Sequence, residues 1–326
     1  MNKKLLVTGL EYLPEWCKEY IHSADILCTP DISEENLSEK VADYDGILYM
    51  QTMSYPITRK IIESGKKLTF IQSAGVGYEL IDLTAATDND VVVMNIPAAT
   101  TVSVAEHTVA LILACAKNLI QIHQSTVTGQ WRVGALGLEL WNKTLGIIGF
   151  GRIGQEVAKI MKGFEMNLLV YDPFVVDKDI RKIGGKKVDL DTLLKESDVV
   201  TLHAPLTKET HALINEEKLN LMKSSAILVN TSRGELVNEG ALYKALYDER
   251  IRCVGLDVFR EEPVTTQNPL LALENIVLSP HMAVQTSDGV LRLMRQNGEQ
   301  TEKALHGIYQ NVVNPEVLEK RKEKKK

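Results

Sequence analysis

Short aliphatic runs alternate with amphipathic stretches from the start of the chain. The first aliphatic runs predict β-strands at residues 5–8, 26–28, 46–49, 69–72 and 91–95. The amphipathic stretches between them predict α-helices over residues 14–22, 33–42 and 58–64. Strands that alternate with helices in this way are typical of parallel βαβ units whose sheet is covered on both faces.

The alternation stops at residues 102–123, a largely apolar stretch without Pro or Gly. This stretch predicts one long buried helix that bridges two domains, with His107 inside it as a packing or helix-bonding residue. A second series of aliphatic runs then predicts six strands, at residues 144–148, 168–171, 199–203, 226–230, 253–256 and 276–278. Six strands with intervening helices match a doubly wound nucleotide-binding sheet. A last helical stretch, residues 286–310, follows, and its periodicity leaves open which domain it packs on.

A glycine-rich turn follows the first strand of the second series. Gly149, Gly151 and Gly154 have GxGxxG spacing, with a strand pattern before them and a helical pattern after them. Glycines at these positions permit a tight turn, close approach to a pyrophosphate and packing of the helix on the strand. Asp172 ends the next strand, where a carboxylate accepts hydrogen bonds from ribose hydroxyls and repels a 2′-phosphate. The pattern favours NAD over NADP; the alternative is a tight turn that binds no ligand.

Three polar residues follow later strands of the same series: Arg233, Glu262 and His281. In an open α/β sheet the ends of the strands form the ligand crevice, so residues from separate strands can converge there. An arginine binds a carboxylate bidentately, a histidine exchanges a proton, and a carboxylate beside the histidine raises its pKa. The set suits reduction of a 2-keto acid to a 2-hydroxy acid. Taken singly, each residue could instead be an ordinary surface or loop residue.

Length, charge and cysteine usage narrow the class of protein. The 326 residues suggest about two domains. A formal charge of −6 argues against a general nucleic-acid binder, and no apolar run approaches the length of a membrane span. Four scattered cysteines predict neither a metal site nor disulfides, which favours a cytoplasmic location. The basic end, residues 319–326, is interpreted as a solvated, frayed terminus.

Ordered motifs along nearly the whole chain resemble those of the D-isomer-specific 2-hydroxyacid dehydrogenases. They are Ala74-Gly75-Val76-Gly77, Val104-Ala105-Glu106-His107, the GFGRIG turn with Asp172, His203-Ala204-Pro205-Leu206-Thr207, and the TSRG, LDVFREEP and SPH segments around Arg233, Glu262 and His281. The resemblance implies that Arg233 binds the substrate carboxylate, His281 is the acid and base, and Glu262 holds His281. It also implies that backbone amides in the Gly75, Val76 and Gly77 segment bind the carboxylate.

The resemblance further implies an NAD site and an architecture. The NAD site would be lined by Gly149, Gly151, Arg152, Ile153, Gly154, Asp172, Ala204, Pro205, Thr210, Thr231, Ser232, Asp257, His281 and Ala283. The expected fold is α/β, with two Rossmann-like, doubly wound parallel-sheet domains. Residues 1–98 with 285–326 would form a discontinuous, flavodoxin-like substrate domain, and residues 99–284 the NAD-binding domain. Members are usually dimers, and the long helix with the Trp131 loop resembles their interface.

The substrate remains open among small 2-keto acids. No cation lies between Gly46 and Thr58, which disfavours a phosphorylated substrate, and Tyr49, Met50 and Met53 favour a neutral or modestly apolar side chain. We therefore expect an NADH-dependent reductase of hydroxypyruvate, glyoxylate or a similar acid. The alternatives are a non-catalytic, NAD-responsive binding protein resembling the corepressors of this fold, 3-phosphoglycerate dehydrogenase, and a formate- or phosphite-type enzyme, against which Glu262 argues.

Overall fold

The computed structural model describes residues 2–50, 55–131 and 136–323. It divides into two compact units, one made of Met1–Thr100 with Ser287–Lys326 and the other of Thr101–Thr286. Each unit contains a parallel sheet whose strands are connected mainly by helices. The predicted fold class, α/β with two parallel-sheet domains, is confirmed.

The first unit begins with a regular βα series. Its elements are β1 (Lys3–Thr8), α1 (Glu15–Tyr20), β2 (Ala24–Thr29), α2 (Glu34–Lys40), β3 (Gly46–Tyr49), α3 (Arg59–Ser64), β4 (Phe70–Ser73), α4 (Leu83–Asp88) and β5 (Val92–Met94). The described strands pair in the order β2-β1-β3-β4-β5, all parallel. This is the flavodoxin-like order, as expected.

The second unit contains a larger sheet. Its elements are α5 (Thr101–Lys117), α6 (Leu119–Val127), β6 (Thr144–Ile148), α7 (Arg152–Met161), β7 (Asn167–Tyr171), α8 (Asp177–Lys182), β8 (Gly185–Lys187), α9 (Leu190–Glu196), β9 (Val199–Leu202), α10 (Glu216–Leu221), β10 (Ile227–Asn230), α11 (Glu239–Tyr247), β11 (Cys253–Leu256) and β12 (Ile276–Leu278). The described strands pair in the order β8-β7-β6-β9-β10-β11-β12. The chain therefore winds outward from β6 in both directions, as in the Rossmann arrangement.

One strand of this sheet was missed by the sequence interpretation. The sequence predicts six strands, but the described sheet has seven, because β8 adds one more strand beyond β7. Its sequence, Gly185-Lys186-Lys187, contains no aliphatic run. A strand at the edge of a sheet tolerates lysines, which also discourage pairing with another chain. Hydrophobic pattern alone therefore does not reveal β8.

The prediction of one long buried helix over residues 102–123 is wrong. The helix ends at Lys117, and Asn118 adopts a left-handed conformation with φ of 51°. Asparagine tolerates this conformation better than most residues, so the chain can turn here without glycine. α5 buries one face, whereas no residue of α6 is buried. Among the described residues no single helix is long and apolar enough to cross a membrane; α5 and α6 reach that length only as a pair bent by 63°.

The C-terminal part of the chain completes the first unit. The helix α12 (Ser287–Leu305) approaches α1 so closely that a Cβ on Gly298 would lie 2.3 Å from the Cβ of Tyr20. Val312 then forms an antiparallel bridge with Met94, which covers the outer edge of β5. Pairing this edge protects its backbone groups from association with another chain.

The prediction of a frayed basic end is also corrected. Residues 316–323 form the helix α13 (Glu316–Glu323), while residues 324–326 lie outside the described residues. Arg321 donates hydrogen bonds to the hydroxyl of Tyr309 at 2.8 Å and to the carbonyl of Thr69 at 2.9 Å. Its guanidinium also lies over the Tyr309 ring. The basic segment is therefore partly fixed by side-chain contacts.

Two cysteines that are distant in sequence meet inside the second unit. Cys115 on α5 and Cys253 on β11 are both buried free thiols joined by a hydrogen bond. That hydrogen bond and burial raise the pKa of the Cys115 thiol. The pair thus packs as part of the hydrophobic core between α5 and the sheet.

Candidate active site

Most of the predicted site residues lie at one edge of the second sheet. Because its strands are parallel, their carboxyl ends meet at the same edge. The residues that follow these ends are Gly149, Gly151, Arg152, Ile153 and Gly154 after β6; Asp172 after β7; Ala204, Pro205 and Thr210 after β9; Thr231, Ser232 and Arg233 after β10; Asp257 and Glu262 after β11; and His281 and Ala283 after β12. The topology therefore brings this predicted set to one edge.

The glycine turn before α7 depends on three glycines in different ways. Gly149 has φ of +89°, and a Cβ there would lie 2.4 Å from the backbone nitrogen of Ala204. A Cβ on Gly154 would lie 2.3 Å from the carbonyl oxygen of Gly149, so this glycine lets α7 pack closely on the turn. A Cβ on Gly151, in contrast, would meet no described atom within 4 Å. Two glycines are needed for packing, and the third leaves open space at the start of α7, where phosphates bind.

Asp172 is joined to this turn. One of its oxygens, Oδ2, accepts a hydrogen bond from the Phe150 backbone N–H at 2.7 Å. The other, Oδ1, accepts from the N–H groups of Phe174 and Val175 at 2.8 and 3.1 Å. These bonds fix the Asp172 carboxylate beside the glycine turn.

The loops after β9 and β10 are tied to each other. The Ser232 hydroxyl donates to the Ala204 carbonyl at 2.6 Å, and the Thr210 hydroxyl donates to the Pro205 carbonyl at 2.7 Å. Thr231 shares a hydrogen bond of 2.8 Å with Thr108 on α5. These bonds hold the loops after β9 and β10 in fixed positions relative to each other and to α5. The Nε2 of the loop histidine His203 is buried and has no hydrogen-bond partner among the described residues. Burial lowers the pKa of His203 to about 3, so it stays neutral.

His281 and Glu262 form the central pair of the site. His281 Nδ1 lies 2.6 Å from Glu262 Oε2, and Glu262 Oε1 accepts from the Phe259 N–H at 2.9 Å. His281 has φ of 54° and donates its backbone N–H to the Asp257 carbonyl. Its side chain is 46% exposed, against 28% for Glu262. Glu262 therefore orients a histidine whose other ring nitrogen can meet a substrate.

The electrostatics of the pair favour a charged imidazole. The hydrogen bond with Glu262 raises the pKa of His281 above its usual value, against the opposing effects of burial and of the Arg233 charge. Burial alone would raise the pKa of Glu262, but the bonds from His281 and Phe259 outweigh it and lower that pKa. Both shifts stabilise an imidazolium next to a carboxylate, and an imidazolium can donate a proton.

Arg233 completes the cluster. Its positive charge acts on both His281 and Glu262. Its Nη1 donates to the Ser232 carbonyl at 2.7 Å, and its own carbonyl accepts from the Asn230 amide at 2.8 Å. A Cβ on the next residue, Gly234, would lie 2.0 Å from the Phe259 carbonyl carbon, so only glycine permits this approach. The close contact brings the Arg233 segment against the segment that carries Glu262.

The predicted carboxylate-binding segment lies in the first unit. Gly75, Val76 and Gly77 follow β4, and Val76 is exposed whereas Gly77 is buried. Every carbonyl of this turn is hydrogen-bonded: those of Ala74 and Val76 to asparagine side chains, that of Gly75 to a backbone N–H, and that of Gly77 to a serine hydroxyl. The turn is therefore held in one conformation.

Comparison with known proteins identifies the family. A family profile described as "D-isomer specific 2-hydroxyacid dehydrogenase, NAD binding domain" matches residues 109–283. A glyoxylate reductase from Korarchaeum cryptofilum is 40% identical over 295 residues, which cover 89% of this chain and 88% of that protein. The chain belongs to the D-isomer-specific 2-hydroxyacid dehydrogenase family.

Other members of this dehydrogenase family agree in fold and differ in length. The D-lactate dehydrogenase of Aquifex aeolicus, solved with NAD and lactic acid, matches with a TM-score of 0.84 at 33% identity, over 95% of this chain and 99% of that one. A D-3-phosphoglycerate dehydrogenase from Archaeoglobus fulgidus is 43% identical over 263 residues, 80% of this chain but 50% of that protein. The chain spans about half the length of the phosphoglycerate dehydrogenases it matches first.

His107 on α5 bonds to residues outside its own helix. The sequence predicts a packing or helix-bonding residue, whereas its Nε2 lies 2.8 Å from the Ser279 hydroxyl and 3.5 Å from Asp257 Oδ1. Asp257 is fully buried and also accepts from Ser279 Oγ and from the N–H groups of Met282 and Ala283. Burial would raise the pKa of Asp257, but these bonds lower it, so the carboxylate is charged. It fixes the segment that carries His281.

The sequence gives one indication of this contact, because the Val104-Ala105-Glu106-His107 and Ser-Pro-His segments both resemble family motifs. Their spacing along the chain does not predict that the two segments touch. The predicted substrate-side-chain stretch, residues 49–53, lies mostly outside the described residues, so it stays a prediction. Tyr49, which is described, is buried and donates its hydroxyl to the Tyr55 carbonyl.

Proposed function

We propose that the protein is an NADH-dependent D-2-hydroxyacid dehydrogenase that reduces small, unphosphorylated 2-keto acids such as glyoxylate and hydroxypyruvate. The single observation that carries this proposal is the His281–Glu262 pair with the Arg233 charge beside it, at the edge of a sheet whose glycine turn fits a dinucleotide. The family membership of the chain supports the same reaction class.

Each side chain of the cluster has a distinct task in this proposal. Arg233 binds the keto acid carboxylate with its planar guanidinium and polarises the neighbouring carbonyl. His281 donates its proton to the carbonyl oxygen as the alkoxide develops, and accepts a proton in the reverse direction. Glu262 keeps the imidazole oriented and favours its charged form. Backbone N–H groups of Val76 and Gly77 bind the carboxylate as well.

The cofactor would be held by the second unit. Its pyrophosphate fits the open space at Gly151 and the first N–H groups of α7, beside Arg152 and Ile153. Asp172 would accept hydrogen bonds from the adenosine ribose, and Asp257 would fix the segment at the carboxamide end. The bound nicotinamide supplies the hydride. We accordingly assign the first unit to the substrate and the second to NAD.

The choice of an unphosphorylated substrate rests on charge. The stretch from Gly46 to Thr58 carries no cation. Arg59, the next cation along the chain, is already paired with Glu63 and Asp88. A phosphate group would need strong cationic donors, as bidentate arginine contacts provide. Phosphoglycerate dehydrogenase activity is therefore the less favoured alternative, although relatives with that name match the chain.

A panel of 2-keto acids assayed with NADH and NADPH tests the proposal. We expect turnover of glyoxylate or hydroxypyruvate with NADH, formation of the D-hydroxy acid, and much weaker turnover of phosphohydroxypyruvate. A preference for phosphohydroxypyruvate would reassign the protein as a phosphoglycerate dehydrogenase. NADH binding without turnover of any keto acid would favour the non-catalytic, NAD-responsive alternative, and oxidation of formate would favour the third.

Replacing Asp172 should weaken the preference for NADH. In Asp172→Ala the carboxylate that repels a 2′-phosphate is lost, so the ratio of NADPH to NADH dissociation constants should fall by roughly tenfold. NADH should also bind less tightly, because Phe150, Phe174 and Val175 lose their acceptor. Fluorescence titration with both cofactors measures this. Asp177→Ala, which removes a nearby carboxylate from α8, should leave the ratio unchanged, and an unchanged ratio in Asp172→Ala would exclude its role.

We also propose a homodimer formed through α6. Leu119, Ile120, Ile122 and Val127 are all exposed on this helix, and Trp131 beyond it is 81% exposed. Several exposed large apolar side chains in one short segment are typical of a protein interface. Light scattering should give twice the chain mass, falling to one chain mass in a variant with Ile120→Glu and Ile122→Glu. Val176→Glu, at another exposed apolar position, is the control, and a monomeric wild type would contradict the proposal.

The location proposed for the enzyme is the cytoplasm. All four cysteines are free thiols, including the adjacent Cys115 and Cys253. Thiols that lie together and stay reduced are typical of a reducing compartment.

A further inference from the structure

A buried set of amide side chains holds the turn at residues 74–77, which we call the 74–77 turn. Asn95 Nδ2 donates to the Val76 carbonyl at 2.7 Å, and Asn297 Nδ2 donates to the Ala74 carbonyl at 2.9 Å. Between them, the Gly75 carbonyl accepts from the backbone N–H of Ile96 at 2.8 Å. Three successive carbonyls of the turn are thus bound by groups from the segment after β5 and from α12.

Because peptide groups are planar, the direction of each carbonyl also determines the direction of the N–H group that follows it. In a trans peptide the carbonyl of one residue and the N–H of the next point in opposite directions. The carbonyls of Gly75 and Val76 face Ile96 and Asn95, so the N–H groups of Val76 and Gly77 point away from those donors. Successive N–H groups presented by a tight turn form a site that binds anions. Asn95 thus fixes the peptide plane between Val76 and Gly77, and Asn297 fixes the plane between Ala74 and Gly75.

Asn95 is itself held, through a glutamine that binds its backbone carbonyl. Gln300 Nε2 donates to the Asn95 carbonyl at 3.0 Å and to Gln72 Oε1 at 2.6 Å, and Gln300 Oε1 accepts from Asn311 at 2.8 Å. Gln72, Asn95, Asn297 and Gln300 are each at most 7% exposed. Buried amides cost free energy unless they are hydrogen-bonded, and an apolar contact between α12 and the sheet would avoid that cost. What these amide side chains contribute instead is a defined geometry, because hydrogen bonds fix the positions of the groups that they join.

We infer that Asn95 and Asn297, supported by Gln300, are positioning residues that hold the 74–77 turn with its backbone N–H groups directed toward the substrate carboxylate. This inference rests on the proposed function, because it assigns those N–H groups to a 2-keto acid. The side chains themselves touch the turn and not the substrate. By fixing the turn, these side chains determine where the substrate carboxylate is bound. They therefore favour substrates whose carboxylate is next to the reacting carbonyl group.

The test replaces one donor by an acceptor of the same shape. In Asn95→Asp, an oxygen faces the Val76 carbonyl, so the turn should lose its fixed orientation. We expect the KM for glyoxylate or hydroxypyruvate to rise by about 10- to 100-fold, with kcat changed much less. The dissociation constant of NADH should not change. Hydrogen–deuterium exchange of the peptide spanning residues 74–78 should be faster than in the wild type.

Asn314→Asp is the matched control. Asn314 is also a buried asparagine of the first unit, and its amide donates to the Val91 carbonyl at 2.9 Å, away from the 74–77 turn. It should lower thermal stability while leaving the KM and the exchange of residues 74–78 unchanged. If Asn95→Asp does not fold, Asn95→Ser removes the same donor with a smaller side chain. Equal KM values and equal exchange rates in the Asn95 and Asn314 variants would overturn the inference.

The two proposals fail in different ways. If the wild type reduces no 2-keto acid, the proposed function falls, and the exchange of residues 74–78 still decides whether Asn95 holds the turn. If the wild type reduces glyoxylate and the Asn95 variant keeps its KM, the reaction assignment stands and the positioning role is excluded.

Discussion

His281→Asn should reduce kcat for 2-keto acid reduction by about a thousandfold while leaving NADH binding nearly unchanged. The imidazole is the proton donor in the proposed reaction, and its removal leaves the developing alkoxide dependent on water. Asparagine is preferred to alanine because residue 281 has φ of 54°, a conformation that asparagine tolerates well. Steady-state kinetics and NADH fluorescence titration separate the chemical step from cofactor binding.

A second His–Glu pair provides the control. His306 Nε2 lies 3.3 Å from Glu302 Oε1 on α12, exposed and in the other unit. His306→Asn should leave kcat unchanged. His306 resembles His281 in its pairing with a glutamate, but it does not lie in the proposed active site. A near-wild-type rate in His281→Asn would remove this histidine from catalysis.

The same pair predicts a pH dependence with a definite sign. Reduction needs protonated His281, so its rate should be constant at low pH and fall as the pH rises through the raised pKa of His281. Glu262→Gln removes the charge that raises this pKa, so the fall should occur at a lower pH. At neutral pH the variant should be slower in reduction, yet retain oxidation of the D-hydroxy acid better, because oxidation needs the neutral imidazole. Equal losses in both directions would indicate a merely structural role for Glu262.

The parts of the site that sequence predicted are those that depend on local order. The glycine turn, Asp172 and the residues after successive strands could be placed because a parallel sheet brings all strand ends to one edge. Gly149 is predicted to permit a tight turn and Gly154 to let the helix pack on the strand, and the structure gives both positions close backbone contacts that a side chain could not share. Local pattern was sufficient wherever neighbouring residues determine the geometry.

The missed parts depend on contacts between distant segments. His107 reaches Ser279 and Asp257 only because α5 packs across β11 and β12, and no periodicity connects residues so far apart. The break at Asn118 has no glycine or proline to mark it, and β8 has no aliphatic run. The C-terminal segment pairs with β5 through Val312, which requires an edge that the sequence does not display. In each case tertiary packing determines a contact or an element that local sequence propensity does not predict.

Arg233→Lys should lower kcat/KM for the keto acid by about a hundredfold or more, since an ammonium cannot reproduce the bidentate geometry of a guanidinium. The backbone on both sides of Arg233 is fixed, by the Asn230 amide on its carbonyl and by the close approach of Gly234 to Phe259. The lysine substitution therefore changes the donor geometry and not the path of the chain. NADH affinity should be unchanged, and a lysine variant with the wild-type kcat/KM would rule out a carboxylate fork at this position.

The pH profile separates the geometric role of Arg233 from its electrostatic one. Its positive charge lowers the pKa of His281, in opposition to Glu262. Lysine keeps that charge, so Arg233→Lys should lose rate without moving the pH at which reduction declines. Arg233→Ala removes the charge, so the decline should move to higher pH, opposite to the shift in Glu262→Gln. Added guanidinium ion should restore part of the activity of Arg233→Ala, whereas Arg260→Ala, on the neighbouring exposed arginine, should show neither effect. Identical profiles for the lysine and alanine variants would show that Arg233 does not act on His281 through its charge.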